Sequence, residues 1–298
     1  MINSASLSRR AAAEFIGTAA LLVVVIGSGI QAAALTADIG VALVANSLAS
    51  AIGLGLIITL FGPLSGAHLN PVVTLTAWWG RRTGGEGLDG REALVYVAAQ
   101  TAGAIGGAVL AEAMFGRVPG TFSTQVRDGG HLLVGEVVAT AGLVLVIQGL
   151  GRIGRPKLIP AAVAAYIAAA IWFTSSGSFA NPAGTIGRSF SDSFTGIAPQ
   201  SLPGFVAAQL LGGILGLALA ALLYGTTRRA AAGSPAAKTG VADVADTIDT
   251  TDVAHATDAT EVTDVADVAG PSGPSGSSGI SRPVAETGPS GSAYQTVG

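Results

Sequence analysis

The chain has 298 residues, 50% hydrophobic and only 11% charged, with 43 glycines, no cysteine and a formal net charge of −3. Soluble domains carry about 25% charged residues, so this composition excludes an ordinary soluble fold and suits helices packed closely in lipid. Without cysteine, disulfides and thiolate metal sites are excluded, and His68, His131 and His255 lack metal-ligand spacing. No cofactor, metal or nucleic-acid partner is therefore expected. The acidity is local: residues 226–298 hold four basic and nine acidic side chains, whereas residues 1–225 hold eleven and nine.

Apolar stretches at 11–33, 40–61, 92–115, 131–150, 158–176 and 203–225 are each near the ~20 residues needed to cross the hydrocarbon core. Arg9 and Arg10 before the first stretch resemble a signal-peptide start, but Glu14 inside it and an internal copy of it favour a retained helix. Two shorter stretches, 71–80 and 182–191, follow Asn70-Pro71 and Asn181-Pro182. Asn is a good helix N-cap, and Pro at the first helical position has no N–H to leave unsatisfied. These stretches are predicted as half-helices. The Gly/Ser-rich approaches 62–69 and 174–180 are predicted as re-entrant loops, because non-helical backbone survives at membrane depth only where it lines a cavity or is buried in protein.

The halves repeat. Glu14-Phe15-Ile16-Gly17-Thr18-Ala19-Ala20-Leu21 matches Glu136-Val137-Val138-Ala139-Thr140-Ala141-Gly142-Leu143, and Ala98-Ala99-Gln100 with Gly103 and Gly107 matches Ala207-Ala208-Gln209 with Gly212 and Gly216. Each half reads helix, helix, half-helix, helix. Three spans per half make the second half enter the membrane inverted. The fold class is therefore an all-α membrane protein, with six transmembrane helices and two re-entrant half-helices. Arg9, Arg10, Arg81, Arg82, Arg91, Arg152, Arg155, Lys157, Arg228 and Arg229 fall on one side of this topology, and the positive-inside rule makes that side cytoplasmic, with both termini. Residues 10–226 form the channel domain, with repeats at 10–115 and 131–226. The tail, 227–298, has acidic residues at a three-residue period that fits neither helix nor strand, then Gly/Pro/Ser repeats, and is expected to be disordered; a gating or partner-binding role is the alternative.

Facing N-termini of the half-helices would each carry about half a positive charge at the midplane. Asn70 and Asn181 would offer side-chain NH₂ groups to the lumen, with loop carbonyls along the path. Such a path passes neutral hydrogen-bonding solutes and resists cations and proton relays.

Ser65-Gly66-Ala67-His68-Leu69-Asn70-Pro71-Val72-Val73-Thr74-Leu75, with Asn181-Pro182-Ala183, resembles the aquaporin family of major intrinsic proteins over residues 10–226. Val72 departs from the family's Asn-Pro-Ala box by two methyls. The resemblance implies a passive plasma-membrane channel for water and small neutral solutes, assembled as a homotetramer with one pore per subunit, and no enzyme activity. It implies that Glu14 and Glu136 hold the re-entrant loops by accepting N–H bonds, with a proton-relay site as the alternative. It places His68 beside the cytoplasmic half of the pore, or else in packing. Its four selectivity positions fall on Ser50, Ala169, Ser178 and Gly184. All are small, and Gly184 stands where relatives usually have Arg. Arg188, one helical turn beyond Gly184, is the candidate displaced cation; pairing with Asp192 is the alternative. A wide, weakly polar filter suits glycerol, urea, ammonia and undissociated metalloid hydroxides. Trp78, Trp79, Phe115, Trp172 and Phe173 are candidates for narrowing it, with interfacial packing the expected role. A secondary transporter and a closed-pore structural protein are the competing classes.

Overall fold

The computed structural model describes residues 5–225, so the acidic tail lies outside the described residues. Among the described residues, five of the eight α-helices begin where a side chain accepts from a first-turn N–H group. Helix α1 (Leu7–Leu35) is capped by Ser6, α2 (Ile39–Ser65) by Asp38, and α4 (Gly90–Met114) by a reciprocal Asp89–Glu92 capping box. The half-helices α3 (Pro71–Arg82) and α7 (Pro182–Arg188) start on Asn70 and Asn181, whose Oδ1 atoms accept from Val72 N and Gly184 N. Helices α5 (Gly130–Arg152), α6 (Ile159–Phe173) and α8 (Leu202–Tyr224) complete the set; short 3₁₀ turns, Pro156–Leu158 and Pro199–Ser201, lead into the last two. Six helices, counted with those lead-in turns, are long and apolar enough to span a membrane. Helix α7 is shorter than its sequence pattern suggests, stopping at Arg188 before a serine-rich loop.

Each half is built on one close helix crossing. A Cβ on Gly103 or Gly107 of α4 would lie 2.3 Å from the carbonyl oxygens of Phe15 and Ala19 in α1. A Cβ on Gly212 or Gly216 of α8 would lie 2.6 and 2.5 Å from the carbonyl oxygens of Val137 and Ala141 in α5. The repeated small-xxx-small pairs therefore let backbones touch within one subunit. The halves are then tied crosswise: α7 packs on α4, α3 packs on α8, and α2 packs on α6.

That crosswise packing accounts for Val72. Its side chain is 2% exposed and fits against Gly213 of α8, where a Cβ would meet Val72 Cγ1 at 2.6 Å. At the pseudo-symmetric place, Ala183 and Ala104 share one buried cluster. One half pairs Ala with Ala and the other pairs Val with Gly. The outer faces remain apolar: Val44, Leu48, Ile52, Leu56 and Leu60, at four-residue spacing on α2, are all exposed.

Candidate functional site: a pore between two half-helices

The loops before α3 and α7 share one unusual backbone. Gly66, Ala67 and Leu69 have φ of 91°, 45° and 52°, and Gly177, Ser178 and Ala180 have φ of 73°, 51° and 48°. Left-handed conformations cost non-glycine residues about 1–2 kcal/mol each, so a surrounding frame must enforce them. Two buried carboxylates supply it. Glu14 Oε1 accepts from Ser65 Oγ (2.6 Å) and His68 N (3.0 Å), and its Oε2 accepts from Leu69 N and Gln100 Nε2 (both 2.7 Å). Glu136 accepts from Phe179 N (2.9 Å), Ala180 N (2.8 Å) and Gln209 Nε2 (2.6 Å). The second hydrogens of the glutamines go to the half-helices: Gln100 Nε2 to Thr74 Oγ1 at 2.9 Å and Gln209 Nε2 to Thr185 Oγ1 at 2.8 Å. Neither glutamate has an ion-pair partner among the described residues. Each is satisfied by aligned N–H donors instead, joined at Glu14 by the Ser65 O–H, as an intramembrane acid requires.

The two loops are also tied to each other. Asn70 Nδ2 donates to Ala180 O and Asn181 Nδ2 donates to Leu69 O, both at 2.8 Å. Each amide thus uses Oδ1 to cap its own half-helix and one N–H to hold the opposite loop. The remaining N–H of each belongs to a side chain that lines the central cavity.

That cavity, about 1730 Å³, is continuous from a mouth lined by Arg10, Arg81, Glu86 and Glu92 to one lined by Gln125, Arg127, Arg188 and Thr195. Its wall is two-sided. Gly66–Asn70 and Ser176–Asn181 give a polar stripe, and Leu54, Ile58, Val73, Leu143, Val163 and Ile167 give an apolar one. At the Arg10 mouth, Arg10 Nη2 pairs with Glu92 Oε1 at 2.5 Å and stands over the Tyr96 ring. Tyr96 donates to Ser65 O and packs edge-on against His68, whose Nδ1 lies 3.2 Å from Thr74 Oγ1. His68 is therefore both in the wall and packed.

Three of the four small residues, Ser50, Ser178 and Gly184, line the cavity; Ala169 does not. It is exposed on the opposite side of α6, whose pore face is Val163, Ile167 and Ile171, spaced by four. A position two residues away on a helix is rotated by about 200°, so counting back from Asn181 lands on the wrong face. Ile171 supplies that wall. Ser50 Oγ and Ser178 Oγ have no protein hydrogen-bond partner. Arg188 lines the same cavity as Gly184, donates Nε–H to Thr195 O at 2.7 Å, and stacks over Phe179 at 3.5 Å. Asp192 is not its partner, since its carboxylate accepts from Thr124 N and Oγ1. None of the five candidate aromatics lines the cavity. Trp79, Trp172 and Phe173 are exposed, Trp172 donates to Ser47 Oγ, and Trp78 and Phe115 pack in side clusters. The aromatics that do line it are Phe179 and Phe194.

A second arginine stands there. Arg127 donates Nε–H to Gly196 O at 2.8 Å and also lies over the Phe179 ring, 5.2 Å from its centre. Burial lowers the Arg127 pKa from its ordinary value and the charge of Glu136 opposes that; with so high a starting value it stays cationic. Nothing in the sequence marked it, since it sits in an aperiodic loop. Gln100 and Gln209 carried a usable signal, the same residue at equivalent places in both halves.

Residues 1–156 match the family model described as "Major intrinsic protein". The chain belongs to the major intrinsic protein family. Among curated members, it is 48% identical over 214 residues to "Aquaglyceroporin AqpS" of Rhizobium meliloti (strain 1021), covering 72% of this chain and 89% of the relative. It is 31% identical to "Aquaporin AqpM" of Methanothermobacter marburgensis, covering 74% of this chain and 97% of that one. The fold matches the X-ray structure of the aquaglyceroporin from Plasmodium falciparum with a TM-score of 0.56 at 21% identity, over 74% of this chain and 97% of that one. With its six apolar helices, this major intrinsic protein is a multi-pass membrane protein.

Proposed function

We propose that this protein is a passive channel for water and small neutral solutes, including glycerol, urea and undissociated metalloid hydroxides, that excludes ions and protons and catalyses no reaction. The observation that carries this reading is the continuous two-sided cavity crossing the paired Asn70 and Asn181. The polar stripe exchanges hydrogen bonds with a solute's hydroxyls, and the apolar stripe accepts its carbon face. Glycerol and propanediol facilitators among the relatives support the same solute class. Positive half-helix ends at the midplane oppose cations, and Asn70 and Asn181, acting as donors there, break a proton wire.

Ser50, Ser178, Gly184 and Ile171 form the selective segment in this reading, with Arg188 as the cation set one turn beyond Gly184. Glu14 and Glu136 act as loop holders. The Arg10 mouth is cytoplasmic, with both termini, and the Arg127 mouth faces outward across the plasma membrane. The exposed apolar stripe on α2 suits lipid or a neighbouring subunit, as in a homotetramer with one pore per subunit. The test is stopped-flow volume change in proteoliposomes with water, glycerol, urea and arsenous acid in parallel. Saturation-free flux that only relaxes a gradient is expected. Concentrative uptake would establish a transporter instead, and no flux of any solute would establish a closed pore.

A further inference from the structure

The Arg127 mouth holds two guanidinium groups around one aromatic ring, and neither has a carboxylate within ion-pair distance among the described residues. Their centres lie 5.2 and 3.5 Å from the same Phe179 centroid, so they are no more than about 9 Å apart, within the Debye length of about 10 Å at 0.1 M salt. Among the described residues no nearby acid is ion-paired with either arginine: Glu136 accepts from Phe179 N, Ala180 N and Gln209, Asp192 accepts from Thr124, Glu112 is paired with Arg117, and Asp128, next to Arg127 in the chain, is exposed and within ion-pair distance of neither guanidinium. The protein donors are only partly used. Arg188 spends Nε–H on Thr195 O, leaving both Nη groups without an acceptor among the described residues. Arg127 spends Nε–H on Gly196 O and Nη2 on a long 3.4 Å contact to Phe194 O, leaving Nη1. Two partly buried like charges with unused N–H groups, both lining one cavity, are a receptor for an anion.

We propose that Arg127 and Arg188 form a binding site for a small monovalent carboxylate at this mouth of the pore. The carboxylate oxygens fit the guanidinium forks, and the alkyl end fits the apolar wall of Ile171 and Phe194, which line the same cavity. Bare halides use the charge but not the fork or the wall. The anion is held and not conducted, because beyond the site the wall carries no Arg or Lys among the described residues until the Arg10 mouth. A bound carboxylate therefore obstructs neutral-solute flux. That consequence rests on the channel reading, whereas the binding itself does not, so binding and flux are measured separately.

The experiment compares sodium acetate, sodium chloride at equal ionic strength and acetamide, each titrated to 100 mM. Thermal stability of the detergent-solubilised full chain reads binding, and glycerol flux into proteoliposomes reads obstruction. Acetate is expected to raise the unfolding temperature saturably and slow glycerol entry at least twofold, with chloride weaker and acetamide inert. R188Q and R127Q should each raise the half-saturating acetate concentration at least tenfold. R188K, which keeps the charge but loses the fork, should raise it at least threefold. Equal responses to chloride and acetate would reduce the effect to screening and overturn the proposal. So would an acetate response unchanged in R188Q, and so would no saturable stabilisation of the wild-type chain. Stabilisation without flux in any condition would keep the site and refute the channel.

Discussion

Replacing Gly213 by Ala is the most pointed perturbation of the frame around the pore. The new Cβ would sit 2.6 Å from Val72 Cγ1, far inside van der Waals contact. Val72 is β-branched, 2% exposed and in the first turn of α3, so it cannot rotate away freely. Overpacking of this kind costs about 1–3 kcal/mol. Spread over a domain of this size, that is a fall of about 2–12 °C in unfolding temperature. The strain falls on the first turn of the half-helix that Asn70 caps, so water and glycerol flux should fall with it. Val72→Ala removes the clashing Cγ1 methyl together with Cγ2 and alone leaves a small void costing about 1–2 kcal/mol. The double variant recreates the Ala–Ala pairing already present at Ala104 and Ala183. It should be no less stable than Gly213→Ala alone, with a coupling of at least about 1 kcal/mol. Intrinsic fluorescence melting in detergent, with flux measured on the same four proteins, is the assay. Additive effects in the double variant would refute the compensation argument.

Other perturbations separate the parts of the account. Gly107→Ala forces a Cβ to 2.3 Å from Ala19 O and should abolish folded protein, whereas Gly106→Ala, whose Cβ would make only an ordinary 3.9 Å contact with Phe15 Cζ, should express normally in the same size-exclusion assay. Glu136→Gln turns an amide NH₂ toward the Ala180 and Gln209 donors and should destabilise by about 2–4 kcal/mol, read as lowered melting temperature and lost flux. Ile171→Trp should reduce glycerol flux at least tenfold, while Ala169→Leu, on the exposed side of α6, should leave it within a factor of two in stopped-flow assays. Gly184→Arg places a Cβ at 3.4 Å from Asn181 Cγ on a residue that lines the cavity, and should lower glycerol permeability relative to water in the same stopped-flow assay.

Asn70-Pro71 and Asn181-Pro182 announced the half-helices because capping chemistry is local, and it needs no knowledge of the rest of the chain. The inverted repeat was equally legible, since Glu14 and Glu136, then Gln100 and Gln209 with their following glycines, recur in order. The pore lining was less so. Ala169 failed because a fixed offset from Asn181 ignores where α6 ends and the loop begins, and an error of two residues turns a helix to its other face. Arg127, Phe194 and Thr195 stand in loops whose course is set by tertiary hydrogen bonds such as Arg127 Nε–H to Gly196 O, which leave no periodic trace. The role of Gly213 was invisible too, because it depends on what Val72 does more than a hundred residues earlier.

The central claim is selective passage: neutral solutes cross between Asn70 and Asn181 and charge does not. It is tested most directly in one vesicle preparation loaded with a pH-sensitive dye, with glycerol-driven reswelling and proton flux recorded together under an imposed potassium potential. The account predicts reswelling at least tenfold faster than in protein-free vesicles, with proton and potassium leak unchanged from that control. Ion leak that rises in step with glycerol flux, or glycerol flux no faster than the bare bilayer, would contradict it.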